Sequence, residues 1–178
     1  MNICVYCGSS NGNSSYVLEV AESFGELLAG EKIRLIYGGS SLGVMGRLAN
    51  SVMKNGGEVT GVIPKGLFRK EVAHQEITEL ITVADMHERK STMANLADAF
   101  VAMPGGFGTL EELFEIITWN QIGILSKPVV IFNVDGFFDS LIAMIDHSVK
   151  AGFIKPKNRD IVKIAETQEE CLRLCREH

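Results

Sequence analysis

Apolar positions along this chain follow two alternating rhythms. Short runs dense in Val, Ile, Leu and Phe, bounded by glycine or polar turns, predict strands at 2 to 7, 33 to 37, 58 to 63, 79 to 83, 98 to 103 and 128 to 133. Between them the apolar residues recur every three or four positions. That period predicts helices near 14 to 29, 43 to 55, 86 to 97, 109 to 122, 137 to 150 and 167 to 175. Strands that alternate with helices pair in parallel, through crossovers that lie over the sheet. The expected fold is therefore α/β: a Rossmann-like, doubly wound parallel sheet with helices on both faces, as a single domain over residues 1 to 178. Ligands in such sheets sit at the carboxyl ends of the strands. Three loops at those ends are rich in small residues: Gly8-Ser9-Ser10, Gly38-Gly39-Ser40-Ser41-Leu42-Gly43 and Pro104-Gly105-Gly106-Phe107-Gly108-Thr109.

Composition narrows the partners. With 178 residues, 46% hydrophobic and 22% charged, the chain has an ordinary globular composition and one core's worth of length. A net charge of −5 supplies no basic surplus to neutralise a run of phosphates, which argues against nucleic acid as a partner. A small anion needs only local positive potential. No apolar run approaches the roughly 20 residues that span a bilayer, and the N-terminus opens directly on a strand pattern. No membrane partner is expected, and the expected location is cytoplasmic. Cys4 and Cys7 resemble a redox C-x-x-C, but an offset of three along a strand sends the side chains to opposite faces, so structural thiols are the better reading. Cys171 and Cys175 lack a neighbouring His or Cys set to complete a metal site. Neither a metal nor an organic cofactor is expected.

Residues 103 to 112, Met-Pro-Gly-Gly-Phe-Gly-Thr-Leu-Glu-Glu, join a buried-looking strand to an amphipathic helix with Leu110, Leu113, Phe114 and Ile117 on its apolar side. Glycines remove Cβ atoms where backbone must approach a ligand, and free N–H groups in a helix's first turn point at an anion. Gly105, Gly106, Gly108 and the hydroxyl of Thr109 are thus candidate phosphate ligands. The glycines at 38, 39, 43 and 46 lack the G-x-G-x-x-G spacing of a dinucleotide site, and no G-x-x-x-x-G-K-[ST] is present. This turn either brings backbone, Gly39 in particular, close to a ligand's sugar or serves close helix packing.

Asp85-Met86-His87-Glu88 has the D-x-x-E pattern of a helix start. It places Arg89 and Lys90 one turn after Met86 and one before Met93, interrupting an apolar stripe near the positive end of the helix dipole. Either both side chains snorkel from a half-buried face, or an external anion holds them. Glu112 has two readings as well. Thr109-Leu110-Glu111-Glu112 fits a capping box, while a carboxylate there would lie beside the sugar of a nucleotide whose phosphate occupies the helix start. Glu115, one turn on, extends the same face, whereas Glu111 points elsewhere.

At these motifs the chain resembles the Lonely guy family of cytokinin-activating phosphoribohydrolases, historically described as possible lysine decarboxylases. The family's P-G-G-x-G-T-x-x-E stands complete at Pro104 to Glu112, and its M-x-x-R-K as Met86, Arg89 and Lys90. Similar stretches run from the first strand to about Ile154, among them Gly61-Val62-Ile63-Pro64 and Trp119-Asn120-Gln121-Ile122-Gly123. The resemblance implies cleavage of an AMP-type nucleoside 5′-monophosphate, N6-prenylated forms included, to free base and ribose 5-phosphate, by a homodimer with sites near the subunit interface. Breaking a ribosyl bond builds positive charge on the sugar, which a fixed carboxylate stabilises while it orients water. Glu112 is assigned that role, with Arg89 orienting it. Lys90, Met86, Gly39 and Ser9 join the phosphate loop as substrate-binding candidates. Leu125 departs from the histidine that many members carry before K-P. A non-catalytic nucleotide carrier of the same fold is the second reading and a pyridoxal-dependent decarboxylase a distant third.

Overall fold

The structure, a computed structural model, describes residues 1 to 66 and 73 to 177. Seven strands form one sheet: β1 (Asn2–Tyr6), β2 (Arg34–Tyr37), β3 (Val59–Pro64), β4 (Glu79–Val83), β5 (Ala99–Ala102), β6 (Val129–Phe132) and β7 (Val162–Ala165). Their spatial order is β4-β3-β2-β1-β5-β6-β7, and every neighbouring pair is parallel. The helices between them are α1 (Ser15–Gly30), α2 (Gly43–Lys54), α3 (Met86–Leu96), α4 (Phe107–Gln121), α5 (Asp139–Lys150), α6 (Pro156–Arg159) and α7 (Gln168–Cys175).

The central strands are apolar throughout because both of their faces are covered. On one face Phe24 and Leu28 of α1, Leu48 and Val52 of α2, and Cys171 and Leu172 of α7 pack against Val5, Leu35 and Val101. On the other, Met93 of α3, Leu113 and Ile116 of α4, and Phe138 before α5 pack against Cys4, Ile36 and Phe100. Side chains such as Phe24, Leu28 and Leu48, fully buried here, contribute roughly 1.5–3 kcal/mol each relative to exposure. Cys4 and Cys7 fall in opposite cores, as the strand offset requires, and all four cysteines are free thiols.

The doubly wound sheet agrees with the expected fold, and the structure corrects it in three places. β7 and the four-residue α6 were not anticipated, because Val-Lys-Ile-Ala is a short edge strand with only two buried residues. α4 begins at Phe107 rather than 109, with Gly106 as its N-cap. Phe114 stands 41% exposed, and Ile116 takes the core position beside Leu113.

Candidate active site

The strand order reverses between β1 and β5, and the loops that follow them cannot both continue in the same direction. A crevice opens there. Its walls are tied by backbone: the Gly8 amide donates to the Pro104 carbonyl at 3.1 Å, and the Met45 amide donates to the Gly8 carbonyl at 3.1 Å. A Cβ on Gly105 would stand 2.1 Å from Thr109 Oγ1 and 2.8 Å from the Gly8 nitrogen, so only glycine lets the two loops close. α4 starts in this crevice with no side-chain cap and no acidic residue in its first turn. Its N–H groups and the positive end of its dipole are therefore available to an anion. A Cβ on Gly106 or Gly108 would meet nothing within 4 Å, since both face open space.

This space is a cavity of about 270 Å³. Arg89 and Glu112 line it, along with Tyr6, Cys7, Ser9, Gly38, Met45, Met86 and the start of α4. Arg89 reaches it because α3 begins at a fixed place. Asp85 accepts from the amides of His87 and Glu88, both at 2.9 Å, and Glu88 Oε2 accepts from the Ala84 amide at 2.6 Å. One turn on, Arg89 Nη1 donates to Glu112 Oε1 at 2.6 Å and Nε donates to the Val62 carbonyl at 3.0 Å. Both residues are only 7% exposed. A Cβ on Gly38 would lie 2.2 Å from Arg89 Nη2, so the glycine after β2 is what admits the guanidinium. Burial pushes the Glu112 carboxyl above the ordinary glutamate value, opposed by the Arg89 charge and hydrogen bond. The result is a desolvated carboxylate, fixed by one cation, in a cavity that the uncapped start of α4 also lines.

The cavity brings together Glu112, Arg89, Met86, Ser9, Gly106, Gly108 and Thr109. Three other expected residues stand apart. Lys90 Nζ is committed to Glu111 Oε1 at 2.5 Å and Glu115 Oε1 at 3.0 Å. Gly39, at φ +78°, packs its α-carbon toward Ile63 and Leu80. Gly105 borders the far side of the loop, where Val17, Val44 and Phe137 help line a second cavity of about 480 Å³. The capping-box reading of Thr109 and Glu112 fails, because the earlier helix start makes Thr109 the third helical residue and carries Glu112 into the second turn. Glu115 shares its face with Glu111 rather than with Glu112. Sequence reasoning missed Gly38, Met45, Tyr6 and Cys7. Gly38 was visible as half of a glycine pair, but which half faced the site depends on where Arg89 arrives. Among the described residues no group of three or more His, Cys, Asp or Glu is placed to hold a metal ion, and no helix is long and apolar enough to cross a membrane.

An α/β sheet whose switch-point crevice joins an uncapped helix start to a buried Arg–Glu pair defines an α/β protein with a candidate anion site and a candidate catalytic carboxylate. The chain belongs to the family described as possible lysine decarboxylase, whose model matches residues 45–175. A relative from Arabidopsis thaliana named cytokinin riboside 5′-monophosphate phosphoribohydrolase is 47% identical over 99% of this chain and 82% of its own length. A probable phosphoribohydrolase of the same name from Oryza sativa subsp. japonica is 48% identical over 96% of this chain and 77% of its own. The resemblance to the Lonely guy enzymes thus extends past Ile154 over nearly the whole chain. Among solved structures, a molybdenum cofactor carrier protein from Chlamydomonas reinhardtii superposes with a TM-score of 0.71 at 20% identity, covering 97% of this chain and 93% of that one. A molybdenum cofactor binding protein from Rippkaea orientalis gives 0.70 at 23%, with the same coverages. At those identities the likeness is one of fold.

Proposed function

We propose that this protein is an AMP nucleosidase-like phosphoribohydrolase, acting on adenosine-type 5′-monophosphates that include N6-substituted cytokinin forms. Water adds to C1′, the N-glycosidic bond breaks, and the base departs with a proton, leaving ribose 5-phosphate. The observation that carries this reading is the buried Arg89–Glu112 pair, 2.6 Å apart, on the floor of the cavity that the start of α4 opens into.

The phosphate seats against the amides at Gly106, Gly108 and Thr109, with Ser9 as a further donor. The ribose then lies over Glu112. Its carboxylate stabilises positive charge developing at C1′ and orients the attacking water, and Arg89 holds that carboxylate in one rotamer. Arg89 itself cannot serve as the proton donor, because a guanidinium does not deprotonate near neutrality. Binding energy from the phosphate positions the reacting bond, so nucleosides without it are poor substrates. Met86 and Met45 line the same cavity and supply polarizable surface for the base. No lysine among the described residues lines the cavity, which disfavours Schiff-base chemistry there.

The protein acts as a homodimer. Phe107, 93% exposed, and Phe114 lie seven residues apart on one face of α4, followed by exposed Ile122 and Ile124. A second copy covering that face would abut the cavity mouth. Free thiols at all four cysteines suit a reducing, cytoplasmic setting.

Incubation with AMP and with N6-prenylated AMP, followed by chromatography of the free base, tests the reading. Base and ribose 5-phosphate in equal amounts are expected from the wild type, and none from Glu112→Gln. Tight nucleotide binding without base release would instead support a carrier, the role named for the Chlamydomonas reinhardtii structural neighbour.

A further inference from the structure

Arg89 and Lys90 are adjacent in sequence, yet α3 sends them to different partners on α4. Arg89 turns inward to Glu112. Lys90 lies to the side, its side chain 11% exposed, and its ammonium donates to Glu111 and Glu115 at 2.5 and 3.0 Å. Those carboxylates are four residues apart, one turn of α4, so a single ammonium spans both. Three ion pairs from two adjacent cations therefore join the same two helices side by side, one inside the cavity and two outside it.

Met93, Ala94 and the Arg89 bond to the Val62 carbonyl hold α3 against the sheet, while the ion pairs of Arg89 and Lys90 tie it sideways to α4. Lys90 is also absent from the residues lining the cavity. To reach a nucleotide it would have to leave two carboxylates, with two of its three donors already committed to them.

We propose that Lys90 is a positioning residue: through Glu111 and Glu115 it clamps α3 to α4 and thereby sets the alignment of Arg89 with Glu112, without touching the nucleotide. This rests on the hydrolase reading given above. The clamp matters more for activity than for stability, since a displacement of about 1 Å at a reacting pair can lower a rate by up to about a hundredfold. A secondary consequence is electrostatic. Lys90 favours the ionised form of Glu112 and Glu111 disfavours it.

The test compares wild type, Lys90→Met, Lys90→Arg and the double variant Glu111→Gln/Glu115→Gln. Each is measured for AMP hydrolysis as a function of pH, AMP binding by calorimetry, and amide hydrogen exchange along α3. Lys90→Met and the double variant are both expected to lower kcat by about tenfold, with KM and the AMP Kd changed by less than about threefold. Both should speed exchange in α3, and Lys90→Arg should regain most of the lost kcat. The acid limb of the pH profile should move up in Lys90→Met and down in the double variant, opposite shifts that simple loosening of the fold does not produce. Should Lys90→Met fail to fold, the double variant carries the kinetic comparison alone. A tenfold or larger rise in KM or Kd for Lys90→Met, with kcat unchanged in the double variant, would make Lys90 a substrate ligand and overturn the proposal. If the wild type releases no base, the hydrolase reading falls, while α3 exchange and AMP binding still decide whether Lys90 is a clamp.

Discussion

At the scale of single residues the site turns on space as much as on charge. Gly38 leaves room for the Arg89 guanidinium, and a methyl there would stand 2.2 Å from Nη2. Gly38→Ala should therefore push the guanidinium off Glu112, lower kcat at least about tenfold, and lower the thermal midpoint because the buried pair is broken. Unchanged kinetics would remove the steric role. Glu112 gives a second handle. Its carboxyl is raised by burial, and the reaction needs it ionised, so activity falls as pH drops through that raised value. In a kcat profile the acid limb should lie above the ordinary glutamate value of about 4.3. A limb at or below that value would contradict the desolvated setting. Arg89 was legible because a cation inside an apolar stripe breaks a local rule, whereas Glu112 fitted a capping box equally well and was singled out by the family's P-G-G-x-G-T-x-x-E pattern. Gly38 was not, because its neighbour is 51 positions away in sequence and arrives only with the tertiary fold.

At the scale of elements, α3 is a helix held by polar contacts at both ends. Asp85 caps its start, and Lys127 Nζ donates to the carbonyls of Ala94 at 2.9 Å and Ala97 at 2.7 Å where it stops. A lysine on the last carbonyls satisfies acceptors that the helix cannot and complements the dipole. Lys127→Met should cost about 1–2 kcal/mol in urea denaturation, because charge-assisted bonds to part-buried carbonyls are lost. An unchanged midpoint and slope would show that water replaces the lysine at no cost. The D-x-x-E start of α3 could be read from sequence, since its partners are three residues apart. The Lys127 cap could not, since its acceptors lie 30 and 33 residues earlier. β7 escaped for a different reason: an edge strand with one solvent-facing side and four residues carries too little pattern. The 16 residues then left without structure between the expected helices, 151 to 166, were themselves a warning, because compact domains rarely hold so long a bare loop.

At the scale of the whole molecule, alternation of strands and helices sufficed to place the crevice, because a parallel sheet with crossovers on both faces must reverse its strand order somewhere. Which surface remains uncovered was not legible: Phe114 sits at a core-like spacing in sequence, yet α4 turns it outward. If a second copy covers that face, Phe114→Asp should yield a monomer by light scattering while the wild type elutes as a dimer. A wild-type monomer would refute the dimer. The central claim is geometric, that an anion at the start of α4 sets a ribose over Glu112 and Arg89. A crystal structure of Glu112→Gln with AMP tests it directly. The phosphate is expected against the amides at 106 to 109, with C1′ roughly 3–4 Å from the side chain at position 112; a sugar bound elsewhere, with that side chain and Arg89 out of reach of C1′, would contradict it.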